Sequence, residues 1–350
     1  MDVTPSVTSK ILILSNSLTG GGAEISMMRL FRSLKRQGVE VGLCAINNDS
    51  IASSLEDGIT ILGRNWGSGL FRSLESLVNF GKFLRENKNG ILIVNCELPE
   101  LYVALVAPWS MKIVAVEHTS RPWTGRRSLG FLVRLNLTLR NTKWVTVSKN
   151  QKQLWPFRNK VSFIPNSISL VLKKSEPKLE KDFPSTTDLV FVGRLNTGKR
   201  PQMAAEVNKM AGTTIEFFGD GPLIKELQEI YESPKCRFRG FVSDPWALIS
   251  EDSILVVTSE FEGDGMNVVE AALNGNPILL ADNIDLRRFE FPNDLYFTDQ
   301  NDLLRKVMEA KAANSAKFRI DDEIKSLLLS ERSPSRVAGQ WMQLIGSLKM

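Results

Sequence analysis

Leu189-Val190-Phe191-Val192-Gly193-Arg194-Leu195-Asn196-Thr197-Gly198-Lys199-Arg200-Pro201 decides how the chain is read. Four apolar residues in a row describe a strand covered on both faces, the habit of parallel sheets. A turn with two glycines and cations follows, and Pro201 suits the first position of a helix. The segment nearly spells the phosphate loop G-x-x-x-x-G-K-[ST]. Arg200, however, stands where a hydroxyl would hold Mg2+. The unit is therefore strand, glycine turn, helix, and ligands of open parallel sheets bind at the carboxyl ends of such strands.

The same unit recurs in both directions. Apolar strands are expected at 11–14, 39–45, 91–94, 113–116 and 145–147 before it, and at 214–218, 254–257 and 278–280 after it. Amphipathic stretches at 24–37, 71–86, 300–314 and 334–347 read as helices. The rhythm breaks between Pro165 and Pro184, a lysine- and proline-rich stretch without periodicity. The expected organisation is a Rossmann-like domain over 1–168, a linker over 169–184, a second Rossmann-like domain over 185–330, and a final helix over 331–350. The fold class is α/β, with the two domains facing each other across a cleft.

Composition narrows the function. The 350 residues are 43% hydrophobic and 24% charged, ordinary for a globular enzyme. A formal charge of +5 fits an anionic ligand or an acidic membrane surface, or simply a solvated basic surface, and is too weak to argue for nucleic acid. Cys44, Cys96 and Cys236 lie far apart and form no metal-ligand pair. No stretch approaches the ~20 apolar residues of a spanning helix, and the first residues lack the pattern of a signal peptide. A cytoplasmic protein is expected, with room for peripheral contact at the inner face of the membrane.

Five constellations carry chemistry. Gly20-Gly21-Gly22-Ala23-Glu24 joins a strand to a helix; it is either a backbone-lined anion site or an ordinary turn. Arg194 and Lys199 place two cations beside a helix start and can neutralise a diphosphate without metal. Gly219-Asp220-Gly221-Pro222 is a third strand-to-helix turn. The most specific is Ser259-Glu260-Phe261-Glu262-Gly263-Asp264-Gly265-Met266-Asn267-Val268-Val269-Glu270. Here two carboxylates separated by seven residues flank a glycine loop whose amides suit sugar hydroxyls. His118, the sole histidine, follows an expected strand and has no second soft ligand at metal spacing.

These residues resemble a family 4 glycosyltransferase. The likeness runs through Gly-Gly-Ala-Glu at 21–24, Gly193-Arg194-Leu195 with Lys199, Gly219-Asp220-Gly221-Pro222, Glu262-x7-Glu270-Ala271 and Gly275-x-Pro277. It implies the GT-B architecture, retention of anomeric configuration, a nucleotide-diphosphate sugar as donor, and neither metal nor cofactor. By it, Arg194 and Lys199, with Gly21 and Gly22, hold the diphosphate, and Glu270 holds the ribose. Glu262 with Gly263, Asp264, Gly265, Met266 and Asn267 holds the transferred sugar, Gly219 to Gly221 line the nucleotide pocket, and His118 lies near the reacting sugar. The helix around Trp341 would cross back to the first domain. Two positions depart from the pattern: Asp264 replaces a frequent aromatic residue, and Ala281-Asp282-Asn283-Ile284-Asp285 replaces a small glycine turn.

Arg121, Trp123, Arg126 and Arg127 precede the apolar run Leu129 to Leu135. This is either a surface for anionic lipid and a lipid-linked acceptor, or a core helix with a cationic flank. The expected reaction is hexosyl or N-acetylhexosaminyl transfer to a glycan on lipid, lipopolysaccharide or surface polysaccharide. A sugar-nucleotide epimerase of the same fold and a non-catalytic sugar-nucleotide-binding partner remain the alternatives.

Overall fold

The computed structural model describes residues 10–18, 21–47, 56–64, 70–119, 122–123, 125–149, 161–168, 187–313 and 315–348. The expected linker at 169–184 lies outside them. Contacts divide the chain into unit 1, residues 1–167 with 332–350, and unit 2, residues 168–331.

Unit 1 holds seven parallel strands: β1 (Ile11–Ser15), β2 (Val41–Asn47), β3 (Ile59–Arg64), β4 (Ile91–Asn95), β5 (Lys112–Glu117), β6 (Lys143–Thr146) and β7 (Val161–Phe163). Their order is β3-β2-β1-β4-β5-β6-β7, so the connections reverse direction between β1 and β4. The helices are α1 (Gly22–Arg36), α2 (Leu70–Glu86), α3 (Glu97–Val106) and α4 (Arg127–Leu139). The two-residue period of β1 sorts its side chains. Ile11 and Ile13 join a core with Leu30 and Phe31 of α1, while Leu12 and Leu14 join one with Phe80 of α2, Val103 of α3 and Leu137 of α4.

Unit 2 repeats the plan with β8 (Leu189–Val192), β9 (Ile215–Phe218), β10 (Cys236–Gly240), β11 (Ile254–Val257), β12 (Ile278–Ala281) and β13 (Tyr296–Phe297). The order is β10-β9-β8-β11-β12-β13, again all parallel, and the reversal falls between β8 and β11. Its helices are α5 (Pro201–Ala211), α6 (Ile224–Tyr231), α7 (Met266–Asn274), α8 (Ile284–Arg287), α9 (Gln300–Ala313) and α10 (Asp322–Arg332).

The last helix, α11 (Pro334–Ser347), belongs to unit 1. It packs on α1, and Val337, Trp341 and Ile345 are buried there. Burying Val337 and Ile345 contributes roughly 1.5–3 kcal/mol each. Ser33 Oγ donates to the Pro334 carbonyl at 3.1 Å, and Arg332 Nη1 to the Asn166 carbonyl at 3.4 Å.

Four strands are absent from the apolar-run reading: β3, β7, β10 and β13. Cys236-Arg237-Phe238-Arg239 in β10 alternates instead of running apolar, and β13 has only two residues. All four of these strands stand at sheet edges, where one side is solvated and the apolar signal is diluted. Cys96 lies just after β4 and not inside it, in a left-handed conformation at φ +74°.

Candidate functional site

The reversal between β8 and β11 places the two most distinctive segments of unit 2 side by side, since each follows one of those strands. After β8 the chain makes a short turn at Thr197–Lys199, and Asn196 Oδ1 caps it by accepting from the Lys199 N–H at 3.0 Å. Arg200 then adopts φ +48° before Pro201 opens α5. Its Nε donates to the Thr258 carbonyl at 2.7 Å, and Thr258 Oγ1 donates back to the Lys199 and Arg200 carbonyls at 2.7 and 2.8 Å. Arg200 is therefore a tether between the two segments. It occupies the place where a phosphate loop would carry its Mg2+-binding hydroxyl.

This tethering brings Lys199 and Glu262 together, although 63 residues separate them. Lys199 Nζ pairs with Glu262 Oε1, which also accepts from Ser259 Oγ at 2.8 Å. Glu262 is only 4% exposed, and its backbone N–H donates to Asp285 Oδ2 at 3.0 Å. Asn283 Nδ2 holds the Ser259 carbonyl at 2.8 Å, and Arg288 Nη1 holds the Gly263 carbonyl at 2.5 Å. The segment that departs from the family pattern, 281–285, thus buttresses the Glu262 loop. Asn283, Asp285 and Arg288 are site residues that spacing alone does not expose. The only local signal for them is that Asn283 and Asp285 also follow a strand.

Gly265 caps α7 at φ +59°, with Met266 and Asn267 in the first turn. A side chain at Gly265 would come within 3.0 Å of Phe289. Asp264 is buried. The Asn267 side chain is not available to a sugar. Its Nδ2 donates to the Val192 carbonyl at 2.8 Å, and its Oδ1 accepts from the Val268 N–H at 3.0 Å, so it ties α7 to the end of β8. The group that the loop offers at this position is the backbone N–H, in the first helical turn. Glu270, one turn further, accepts from Trp246 Nε1 at 3.0 Å. Trp246 was not singled out by the sequence, because 24 residues separate the pair. Arg194, just after β8, is exposed.

Gly219 and Gly221 have a packing cause. The turns after β8 and β9 are zipped together by Gly193 N to Phe218 O at 2.9 Å, Leu195 N to Asp220 O at 2.9 Å and Leu223 N to Leu195 O at 3.1 Å. A Cβ on Gly219 would lie 1.9 Å from the Gly193 carbonyl oxygen, and one on Gly221 2.3 Å from that of Leu195. Asp220, between them, is exposed.

In unit 1 the reversal between β1 and β4 is marked by Asn95. Its Nδ2 donates to Ser15 Oγ at 3.2 Å and to the Ala23 carbonyl at 3.4 Å, fixing the start of α1 behind Gly21 and Gly22. Gly20 and Arg121 lie outside the described residues. His118 is half-buried at the end of β5. The residue before it, Glu117, pairs with Arg134 of α4 and accepts from the Thr119 N–H at 3.3 Å.

Trp123 corrects the expectation of a membrane- or acceptor-facing ring. It is 4% exposed and cannot meet a membrane or an acceptor. Its Nε1 donates to Glu100 Oε2 at 2.9 Å and its backbone N–H to Glu97, while Gly130 of α4 lies directly against the ring. An indole with a satisfied N–H is cheap to bury. Arg126 and Arg127 remain exposed.

Burial pushes the Glu100 carboxyl up to about 8; Arg134 opposes the rise, Glu117 adds to it, and the Trp123 hydrogen bond opposes it. Burial likewise raises Glu117, against the pull of Arg134. Folded Glu100 then keeps its proton where the unfolded carboxyl, near 4.5, has lost it. The native state binds more protons in that window, so its stability falls as pH rises from about 5 to about 8 and is flat above. Glu100→Gln, which preserves an acceptor for Trp123, should shrink the difference between urea midpoints measured at the two ends of the window. A variant that keeps the wild-type difference would place the titration elsewhere.

Among the described residues no three His, Cys, Asp or Glu side chains are grouped to hold a metal ion.

Residues 186–309 match the family described as "Glycosyl transferases group 1". EpsF of Bacillus subtilis (strain 168), provisionally named a glycosyltransferase, is 24% identical over 315 residues, 79% of either chain. Three solved structures share the fold. Anabaena HepE in complex with UDP-glucose has a TM-score of 0.78 at 16% identity, over 97% of this chain and 99% of that one. Sucrose-phosphate synthase of Thermosynechococcus elongatus has 0.76 at 16%, over 97% and 99%. The lipopolysaccharide outer core galactosyltransferase WaaB has 0.65 at 19%, over 97% and 99%. Two parallel-sheet Rossmann-like units of this plan, with the family match over most of unit 2, support a glycosyltransferase of the GT-B kind.

Proposed function

We propose that this chain is a retaining, metal-independent family 4 glycosyltransferase. It takes a hexose or N-acetylhexosamine from a nucleoside-diphosphate donor to a lipid-linked, lipopolysaccharide or surface-polysaccharide acceptor, working at the inner face of the membrane. The observation that carries the reading is the Lys199–Glu262 pair at the β8/β11 reversal, with Glu270 one loop away. A cation and a buried carboxylate at the carboxyl ends of β8 and β11 match the two halves of a sugar nucleotide: diphosphate and polyhydroxyl ring. HepE, which shares the fold, holds UDP-glucose.

In this reading Arg194 and Lys199 take the diphosphate. When the sugar C1–O bond breaks, the electron pair stays on the phosphate oxygen, and these cations stabilise that charge. Glu262 and the Gly263–Asn267 backbone orient the sugar, Asp264 contacts it, and Glu270 receives the ribose hydroxyls in place of Trp246. Asp220, beside the β9 turn, lines the nucleotide pocket. His118 acts on the reacting sugar. The acceptor oxygen attacks the face the phosphate leaves, and the departing phosphate accepts its proton, so no separate enzymic base is needed.

Calorimetry with UDP, GDP, ADP and CMP in the presence of EDTA tests this. One nucleoside diphosphate should bind. Glu270→Ala should weaken it roughly 10–100-fold, the loss of one charged hydrogen-bond acceptor. Asp264→Ala should leave nucleotide affinity alone and change the preference among donor sugars. Binding of none of the four, or ATP binding that demands magnesium, would overturn the donor site.

A further inference from the structure

α4 is apolar on two opposite sides. Gly130, Val133 and Leu137 are buried against unit 1. Leu132, Leu135 and Leu139 repeat helical spacing on the far side and are 61%, 44% and 69% exposed, with Phe131 beside them at 67%. A helix with a second apolar stripe normally covers it, and that of α4 is exposed.

The ends of this stripe are defined as well. Arg140, the residue after Leu139, stacks on Trp109 at 4.4 Å and donates to the Ala107 carbonyl at 2.7 Å. That fixes Trp109, itself 63% exposed, beside the C-terminal end of α4. Arg126 and Arg127 are exposed at the N-terminal end. The stripe is therefore bracketed by an aromatic ring and by cations at both ends.

The sequence that follows β5 is strongly basic. From His118 to Ser175 there are twelve Lys and Arg and not one Asp or Glu. A second copy of the chain laid antiparallel on α4 would set Arg126 and Arg127 against Arg140 and its neighbours. That like-charge contact is unfavourable. An anionic bilayer surface satisfies the apolar stripe and the cations together. No helix among the described residues is long and apolar enough to cross a membrane, so the contact is an interfacial one.

We propose that the outer face of α4, with Trp109 at its end, docks on the surface of an anionic bilayer. The proposal deepens the membrane-acceptor part of the function proposed above by naming the contact. It needs neither donor nor transfer, so its failure would leave the donor site untouched, and loss of the donor site would not affect it.

The full chain is sedimented with vesicles of phosphatidylcholine alone and of phosphatidylcholine with phosphatidylglycerol. The expected result is binding to the anionic vesicles only, reduced by salt. A Leu132→Ser/Leu135→Ser/Leu139→Ser variant should bind about tenfold or more weakly, and Arg126→Glu/Arg127→Glu should lose the preference for phosphatidylglycerol. Because these side chains are exposed, circular dichroism and the thermal unfolding midpoint should match wild type, which separates lost docking from lost folding. The proposal is overturned if wild type pellets no better with anionic vesicles. It is equally overturned if the triple variant pellets like wild type, or if wild type is a dimer that the triple variant makes monomeric.

Discussion

Under the proposed function, Glu262→Ala should lower the rate of sugar transfer by about 10²–10³-fold, the range for removing one preorganised electrostatic contact at a reacting centre. The physical reason lies in its surroundings. The carboxylate is 4% exposed and accepts from both Lys199 Nζ and Ser259 Oγ, while its own backbone N–H is held by Asp285. Removing it leaves the Lys199 cation without its counterion inside unit 2. That cation is then free for the donor diphosphate, so the nucleoside diphosphate selected in the calorimetric panel (UDP, if that is the one) should bind as well as to wild type or a few-fold tighter. Slower transfer with undiminished nucleotide affinity distinguishes a sugar-orienting carboxylate from one that merely stabilises the loop. Glu262→Gln, which keeps an acceptor for Ser259, should fall between the two. Steady-state kinetics with the preferred donor, alongside calorimetry with that nucleotide, reads both quantities. A rate within tenfold of wild type for Glu262→Ala would remove this residue from the sugar site.

Gly219→Ala should destabilise unit 2 by about 3 kcal/mol, the upper range for forced overpacking at a strained backbone position. At φ +150° the added Cβ would sit 1.9 Å from the Gly193 carbonyl oxygen and 2.8 Å from its carbon. Neither neighbour is the flexible end of a side chain. Gly193 N is bonded to Phe218 O, and Gly219 N to Gly240 O at 2.7 Å, so relief requires opening the zipped turns after β8 and β9. Over a unit of this size that cost corresponds to a melting temperature lower by roughly 6–12 °C. Differential scanning calorimetry should show the loss, and Gly212→Ala provides the comparison. Gly212 also has a positive φ, +65°, but its Cβ would meet nothing within 4 Å, so it should lose far less. Equal losses at the two positions would mean that backbone conformation, and not the close approach to Gly193, sets the requirement for glycine.

The two predictions depend on different kinds of information. Gly219 and Glu262 were both visible as residues in glycine-rich stretches after strands. Their partners were not. Apolar runs such as Ile11–Leu14 and Leu189–Val192 announce buried strands because burial on both faces is written in consecutive residues. The helix Pro334–Ser347 is equally local, since its apolar residues recur at helical spacing. The weak edges of the sheets, β10 and β13 among them, lack that continuous signal and emerge only through their pairing with β9 and β12.

By itself, then, the sequence determined the alternation of strand, turn and helix, its break near residue 165, and the positions at strand ends where polar chemistry collects. Those features depend on neighbours along the chain. Tertiary structure alone decided that β8 lies beside β11, and hence that Lys199 meets Glu262 across 63 residues, that Asp285 and Asn283 support that loop, and that Trp246 reaches Glu270. It also decided that Trp123 turns inward onto Glu100 while Leu132, Leu135 and Leu139 stay outside. An aromatic ring with a polar edge and a leucine stripe are each compatible with core or surface. Only the packing of α4 on α3, with Gly130 leaving room for the indole, settles which of them the protein buries.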